Sequence, residues 1–143
     1  MEKAIIIYGS TTGNTETLSE ALEEELQQNY AVTRKNVIDA HPHEMLAYDL
    51  IVLGSSTWEW GELQEDFQDF YEGMNAVDLA GKNVAVFGPG DSQWEEFCEA
   101  VNLLESKLQE CNASLAAPGF KWDGEVNDEA TRAIKEWGSQ LLH

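Results

Sequence analysis

Residues 3–22, KAIIIYGSTTGNTETLSEAL, hold the reading that decides the fold. Ile5, Ile6 and Ile7 follow one another with no polar residue between them, as in a strand covered on both faces. Leu18, Ala21 and Leu22, then Leu26, recur at helical spacing. Strand and helix are joined by residues 9–15, GSTTGNT, which contain no Lys or Arg. The first turn of a helix leaves its amides without intrahelical partners, and with the positive end of the helix dipole they form an anion site. Ser10, Thr11, Thr12 and Thr15 add hydroxyl donors, Asn14 adds an amide, and Gly13 lets the backbone come close. The loop reads as a phosphate cradle of neutral donors; the competing reading is an ordinary Ser/Thr-rich helix cap.

Neutral donors separate the nucleotide classes. A nucleoside-triphosphate loop needs GxxxxGK[ST], and the lysine is missing here. A dinucleotide fingerprint needs GxGxxG, which is missing too. One terminal monophosphate remains.

The strand-then-helix alternation continues along the chain. Further β-rich runs are YAVTRKNV at 30–37, DLIVLGSS at 49–56, KNVAVFG at 82–88 and a weaker ASLAAPGFKW at 113–122. Helical faces are expected from Leu63, Phe67, Phe70 and Met74, from Phe97, Val101, Leu104 and Leu108, and from Ala130, Ala133, Ile134, Trp137 and Leu141. HPHEMLAY at 41–48 has room for a brief helix only. Five strands with crossovers predict a parallel, doubly wound α/β sheet. Such sheets bind ligands beyond the carboxyl ends of their strands, so the loops to inspect are 9–15, 55–63 and 88–94.

At 143 residues and 43% hydrophobic, residues 1–143 are expected to form a single domain. Asp and Glu number 27 against 8 Lys and Arg, a net charge of −19. Between Asn36 and Ser106 the only Lys or Arg is Lys82. This field argues against nucleic acid or anionic membrane as partner and favours basic protein surfaces. No stretch approaches the roughly 20 apolar residues of a membrane span. The apolar run at the start is shorter than a signal peptide needs, so a cytoplasmic location is expected. Cys98 and Cys111 are read as reduced thiols within one helix, Cys98 semi-buried. His41 and His43 flank Pro42 away from the motifs, and with His143 they make no metal constellation.

Three ordered motifs carry a family resemblance. GSTTGNTE at 9–16 resembles the phosphate-binding signature of the flavodoxins, small FMN-containing electron carriers. GSSTW at 54–58 with ELQEDF at 62–67, and FGPGDSQWEEFCEAV at 87–101, are similar to that family's two flavin loops. The match runs essentially end to end and lacks the long insertion of long-chain members. It is most similar to the short-chain, Desulfovibrio-like type of sulfate-reducing bacteria. The resemblance implies a flavodoxin-like three-layer α/β/α sandwich whose five-stranded parallel sheet has the order 2-1-3-4-5, with FMN at the switch point; flavodoxin is a standard example of that order.

By that resemblance Trp58 is the inner stacking partner of the flavin ring. Trp94 stands where short-chain members usually carry Tyr, and Trp60 covers the ring edge or faces solvent. A flat apolar ring calls for such aromatic partners. Amides near Gly90, Asp91 and Cys98 would meet the pyrimidine edge, with Gly88 in the same cofactor-binding set, and the backbone of Ser56, Thr57 and Trp58 the ribityl chain. The family generally has Gly directly after the inner aromatic, where a peptide flip accepts the N5 proton of the semiquinone. TWEWGEL at 57–63 has Glu59 there and Gly61 two residues later. A β-carbon raises the cost of positive φ by roughly 1 kcal/mol or more. The switch is therefore expected either near Gly61 or in a weaker form at Glu59.

The implied function is a low-potential one-electron carrier of the flavoprotein class, monomeric, docking on basic faces of redox proteins. No catalytic residue and no metal ligand is expected. Two other classes stay in view: a flavodoxin-like NAD(P)H-dependent quinone or flavin reductase, for which there is little spare length, and a flavodoxin-like fold that has lost its cofactor and serves as an interaction module, which the presence of all three loops disfavours; a phosphoacceptor receiver is set aside. The receiver would need paired carboxylates after the first strand, where this chain has YGSTTG.

Overall fold

The computed structural model describes residues 2–9, 13–58, 62–63, 65–90 and 98–142, with the backbone alone at 57–58 and 62–63. The first strand, β1 (Glu2–Gly9), feeds helix α1 (Asn14–Leu26), which returns to β2 (Tyr30–Asn36). Two short 3-10 turns, Val37–Asp39 and Pro42–Ala47, lead to β3 (Leu50–Ser55). A small antiparallel ribbon follows, β4 (Thr57–Trp58) paired with β5 (Glu62–Leu63). The next crossover is broken into a 3-10 turn (Glu65–Phe67), a short helix α2 (Gln68–Gly73) and another 3-10 turn (Met74–Ala76). Then come β6 (Asn83–Gly90), α3 (Glu99–Glu110), β7 (Ser114–Leu115), β8 (Phe120–Asp123) and α4 (Asp128–Gly138).

The sheet is parallel throughout, in the order β2-β1-β3-β6, and then β7 and β8. The last two segments are halves of one fifth strand. Ser114 and Leu115 pair with Asn83 and Val84, while residues 120–123 pair with 87–90. The expected 2-1-3-4-5 order is therefore the observed one. The fifth strand is interrupted at 116–119, AAPG, because Pro118 has no amide to donate to a ladder.

Strand residues alternate between two cores, one on each face of the sheet. Ile5, Ile7, Ile51, Leu53, Val84 and Val86 face a cluster with Phe67, Phe70, Val101, Leu104 and Leu108. Ala4, Ile6, Leu50, Val52, Ala85 and Phe87 face Leu18, Leu22, Ala130, Ile134 and Trp137. Apolar runs without alternation are thus explained, since each neighbour has its own helix layer to bury against, at about 1.5–3 kcal/mol for each large side chain. Asn127 caps α4 by accepting from the Ala130 amide at 3.1 Å.

Two expectations are corrected. The face of Leu63, Phe67, Phe70 and Met74 belongs to no single helix: Leu63 lies in β5, Phe67 in a 3-10 turn, and α2 supplies Phe70. The other concerns Cys98 and Cys111, which flank α3 as its cap residues instead of lying within it. Cys98 is buried, at 1% exposure.

Candidate functional site

The carboxyl ends of β1, β3 and β6 bring the three expected loops to one end of the sheet. At the first of them Gly13 adopts φ 92°, a left-handed conformation that glycine enters without strain, and α1 starts at Asn14. The Gly13 carbonyl accepts from the Thr17 amide at 2.9 Å and from Thr17 Oγ1 at 3.0 Å. The helical ladder thus begins at Thr17, and the amides of Asn14, Thr15 and Glu16 precede it. Thr15 is 1% exposed, and among the described residues its Oγ1 has no hydrogen-bond partner. A buried hydroxyl left unpaired costs about 1–3 kcal/mol. An anion in the cradle, accepting from Thr15 Oγ1 and the leading amides, would offset that cost. Ser10, Thr11 and Thr12 lie outside the described residues.

Side chains that the sequence reading left out surround this loop. Tyr8, the last large residue of β1, is 6% exposed and its hydroxyl donates to Glu16 Oε2 at 2.8 Å. Burial, and after it the Glu16 carboxylate, raise the Tyr8 hydroxyl above its ordinary value. The Arg34 guanidinium stands 5.5 Å from the centre of the Tyr8 ring, pairs with Glu23 at 3.3 Å and donates to Ser19 Oγ at 3.4 Å. Ser19 Oγ in turn donates to the Glu16 carbonyl at 2.6 Å.

In the second loop, Ser55 is fully buried and its Oγ donates to the Ser56 carbonyl at 2.9 Å. Ser56 is half-buried, and the backbone of Thr57 and Trp58 runs antiparallel to that of Glu62 and Leu63. Glu59, Trp60 and Gly61, which connect the two, lie outside the described residues, so the location of the peptide switch stays an expectation.

The third loop starts later than expected, because Gly88 and Gly90 belong to β6, opposite Lys121 and Asp123. Gly88 is required by packing: a Cβ there would lie 2.4 Å from the Ser55 carbonyl oxygen. The absence of a side chain at Gly88 lets β6 approach β3 closely at Ser55. Asp91 and Trp94 are outside the described residues. Cys98 has φ 51°, a conformation costing a non-glycine residue about 1–3 kcal/mol. Its thiol donates to the Gly88 carbonyl at 3.4 Å and reaches the Trp122 carbonyl at 3.9 Å. The side chain therefore ties the head of α3 to both β6 and β8. Burial pushes the Cys98 thiol up to about 11. No group of three or more candidate metal ligands occurs among the described residues.

Comparison with known proteins agrees with this geometry. Residues 6–137 match the model of the family described as Flavodoxin. The chain is similar to a flavodoxin of Maridesulfovibrio salexigens, with 42% identity over 99% of this chain and 97% of that one. Among solved structures it is similar to oxidised Flavodoxin 1 of Bacillus cereus, at TM-score 0.93 and 33% identity, covering 97% of this chain and 96% of that chain. A Fusobacterium nucleatum flavodoxin solved with flavin mononucleotide bound shares the fold at TM-score 0.82 and 15% identity, covering 99% of this chain and 97% of that chain. With a family match over residues 6–137 and 42% identity to a flavodoxin over nearly the whole of both chains, the chain belongs to the flavodoxin family.

Proposed function

We propose that the chain, as one domain over residues 1–143, binds FMN non-covalently and carries single electrons at low potential between redox proteins. The observation that carries this reading is the buried Thr15 hydroxyl at the head of α1, without a partner among the described residues, where a phosphate ester would supply an acceptor. Ser10, Thr11, Thr12, Gly13, Asn14 and Thr15 would hold that phosphate. Residues 56–61 would hold the ribityl chain and inner ring face; Gly88, Gly90, Asp91, Trp94 and Cys98 would line the outer face and pyrimidine edge. When bound, FMN supplies the electron-accepting ring.

The protein's own contribution is position and field. Backbone donors at two helix starts would orient the ligand, and the tie from Cys98 to Gly88 holds the head of α3 against β6. Glu65, Asp66 and Asp69 are exposed just beyond β5. With the wider excess of carboxylates they disfavour added negative charge at the site, which lowers the potential of the last electron. The same carboxylates would steer basic faces of partner proteins into brief, salt-sensitive encounters.

The test is a visible spectrum recorded during stepwise anaerobic reduction. Yellow protein that develops a long-wavelength blue band at half-reduction and then bleaches is the expected result. Protein that stays colourless after FMN is added, or that oxidises NADPH unaided, overturns the reading.

A further inference from the structure

Tyr8 immediately precedes the phosphate loop and Glu16 immediately follows it, so their 2.8 Å hydrogen bond closes the base of the loop that runs from Gly9 to Thr15. From this geometry we infer that Tyr8 and Glu16 form a clasp that shapes the loop for a phosphate ester and makes the site prefer FMN to the phosphate-free flavin. The inference rests on the reading of residues 9–15 as the phosphate site.

The clasp does two things. It joins the end of a buried strand to the first turn of α1, so the loop between them spans a fixed gap. A loop preshaped in this way binds with less ordering cost. It also controls a charge. Glu16 is the acidic residue in the first turn of α1, one position after Thr15. Its carboxylate, drawn to the Tyr8 hydroxyl, is held on the side of the helix that faces β1. Freed from that bond, it could turn toward the loop and oppose a bound anion.

The rest of the cluster supports this arrangement. Arg34 over the Tyr8 ring restricts the ring, and Ser19, fully buried, links the Glu16 carbonyl to the Arg34 guanidinium. Tyr8 and Glu16 are thus positioning residues that act on the ligand through the loop. Riboflavin lacks the phosphate and makes no use of residues 9–15, so its affinity reports on everything except the clasp.

The experiment measures dissociation constants for FMN and riboflavin, by flavin fluorescence quenching, on the wild-type chain and three variants. Tyr8→Phe removes the donor and should lower the FMN-to-riboflavin preference by about fivefold, the size of one hydrogen bond. Glu16→Gln and Glu16→Met remove the same charge, but only Gln keeps an acceptor for Tyr8. The Met variant should therefore show a lower FMN preference than the Gln variant, a comparison that stands even if Tyr8→Phe folds poorly. Equal preferences in Gln and Met variants, or a Tyr8→Phe chain that weakens both flavins alike, would overturn the clasp while leaving the phosphate site intact. A wild-type chain that binds neither flavin, or both equally, overturns the phosphate site and the clasp with it.

Discussion

Thr15→Val should move stability and affinity in opposite directions. In the ligand-free chain Oγ1 is buried without a partner among the described residues, at a cost of about 1–3 kcal/mol. Valine keeps the β-branch, nearly the same shape and a similar helix propensity, so the exchange mainly removes that cost. The ligand-free variant should therefore unfold with a free energy about 1–3 kcal/mol higher, or a midpoint raised by about 4 °C for each kcal/mol in a chain of this size. With a phosphate in the cradle the same hydroxyl donates to a charged acceptor, a bond worth about 1.5–3 kcal/mol. Its loss should raise the FMN dissociation constant about 10- to 150-fold, with riboflavin affinity unchanged. Urea unfolding of the ligand-free protein and fluorescence titration with both flavins measure the two halves. A variant that binds FMN as tightly as wild type, or that is less stable than wild type without ligand, would show that the hydroxyl is not aimed at an anion.

Other substitutions probe the ring loops and the surface. The Cys98 thiol is raised from 9.0 to about 11 in the folded chain, so the neutral thiol favours folding. Its contribution is complete below pH 9.0 and is lost as pH rises toward about 11, a loss of about 2–3 kcal/mol across that interval. Urea midpoints between those limits should fall more steeply for wild type than for Cys98→Ala, and parallel curves would rule out the buried thiol as the cause. Gly88→Ala places a Cβ 2.4 Å from a backbone oxygen that cannot step aside without parting β3 from β6. It should cost about 1–3 kcal/mol and weaken FMN and riboflavin together; an unchanged melting temperature counts against the contact. Neutralising Glu65, Asp66 and Asp69 as Gln, Asn and Asn should slow the reduction of a basic partner at low salt and flatten its salt dependence. Wild-type rates that do not vary with salt in stopped-flow mixing would remove the docking role.

How much of this was legible follows from which residues carry each feature. Ile5, Ile6 and Ile7 announce a strand covered on both faces because burial on two sides leaves no room for polar alternation, and both cores are found. The faces of α1 and α4 were readable for a similar reason, since one helix period spans enough apolar positions to define a side. The segment from Leu63 to Met74 shows the limit. Its spacing is helical, yet β5 and two 3-10 turns divide it, because pairing of Glu62 and Leu63 with β4 competes with local helix propensity. Nothing in the neighbours of Cys98 signals a left-handed residue, so from sequence it reads as part of α3; the tie to Gly88 and Trp122 that holds it at the cap joins parts of the chain far apart in sequence.

Tyr8 and Glu16 mark a subtler boundary, since both lie within the stretch that decides the fold. Read locally, Tyr8 extends an apolar strand and Glu16 is a favourable charge at the start of a helix. What local reading omits is satisfaction of the tyrosine hydroxyl, which a buried ring end requires. A tyrosine at the last inward position of a central strand places its hydroxyl beside the first turn of the helix that the strand feeds. The acceptor must come from there or from the neighbouring strand. Glu16 is the first-turn acceptor, whereas Arg34 on β2 offers only donors. Hydrogen-bond accounting on buried amphipathic side chains, added to periodicity, would have paired Tyr8 with Glu16 from sequence, and that pair closes the loop on which the phosphate reading depends.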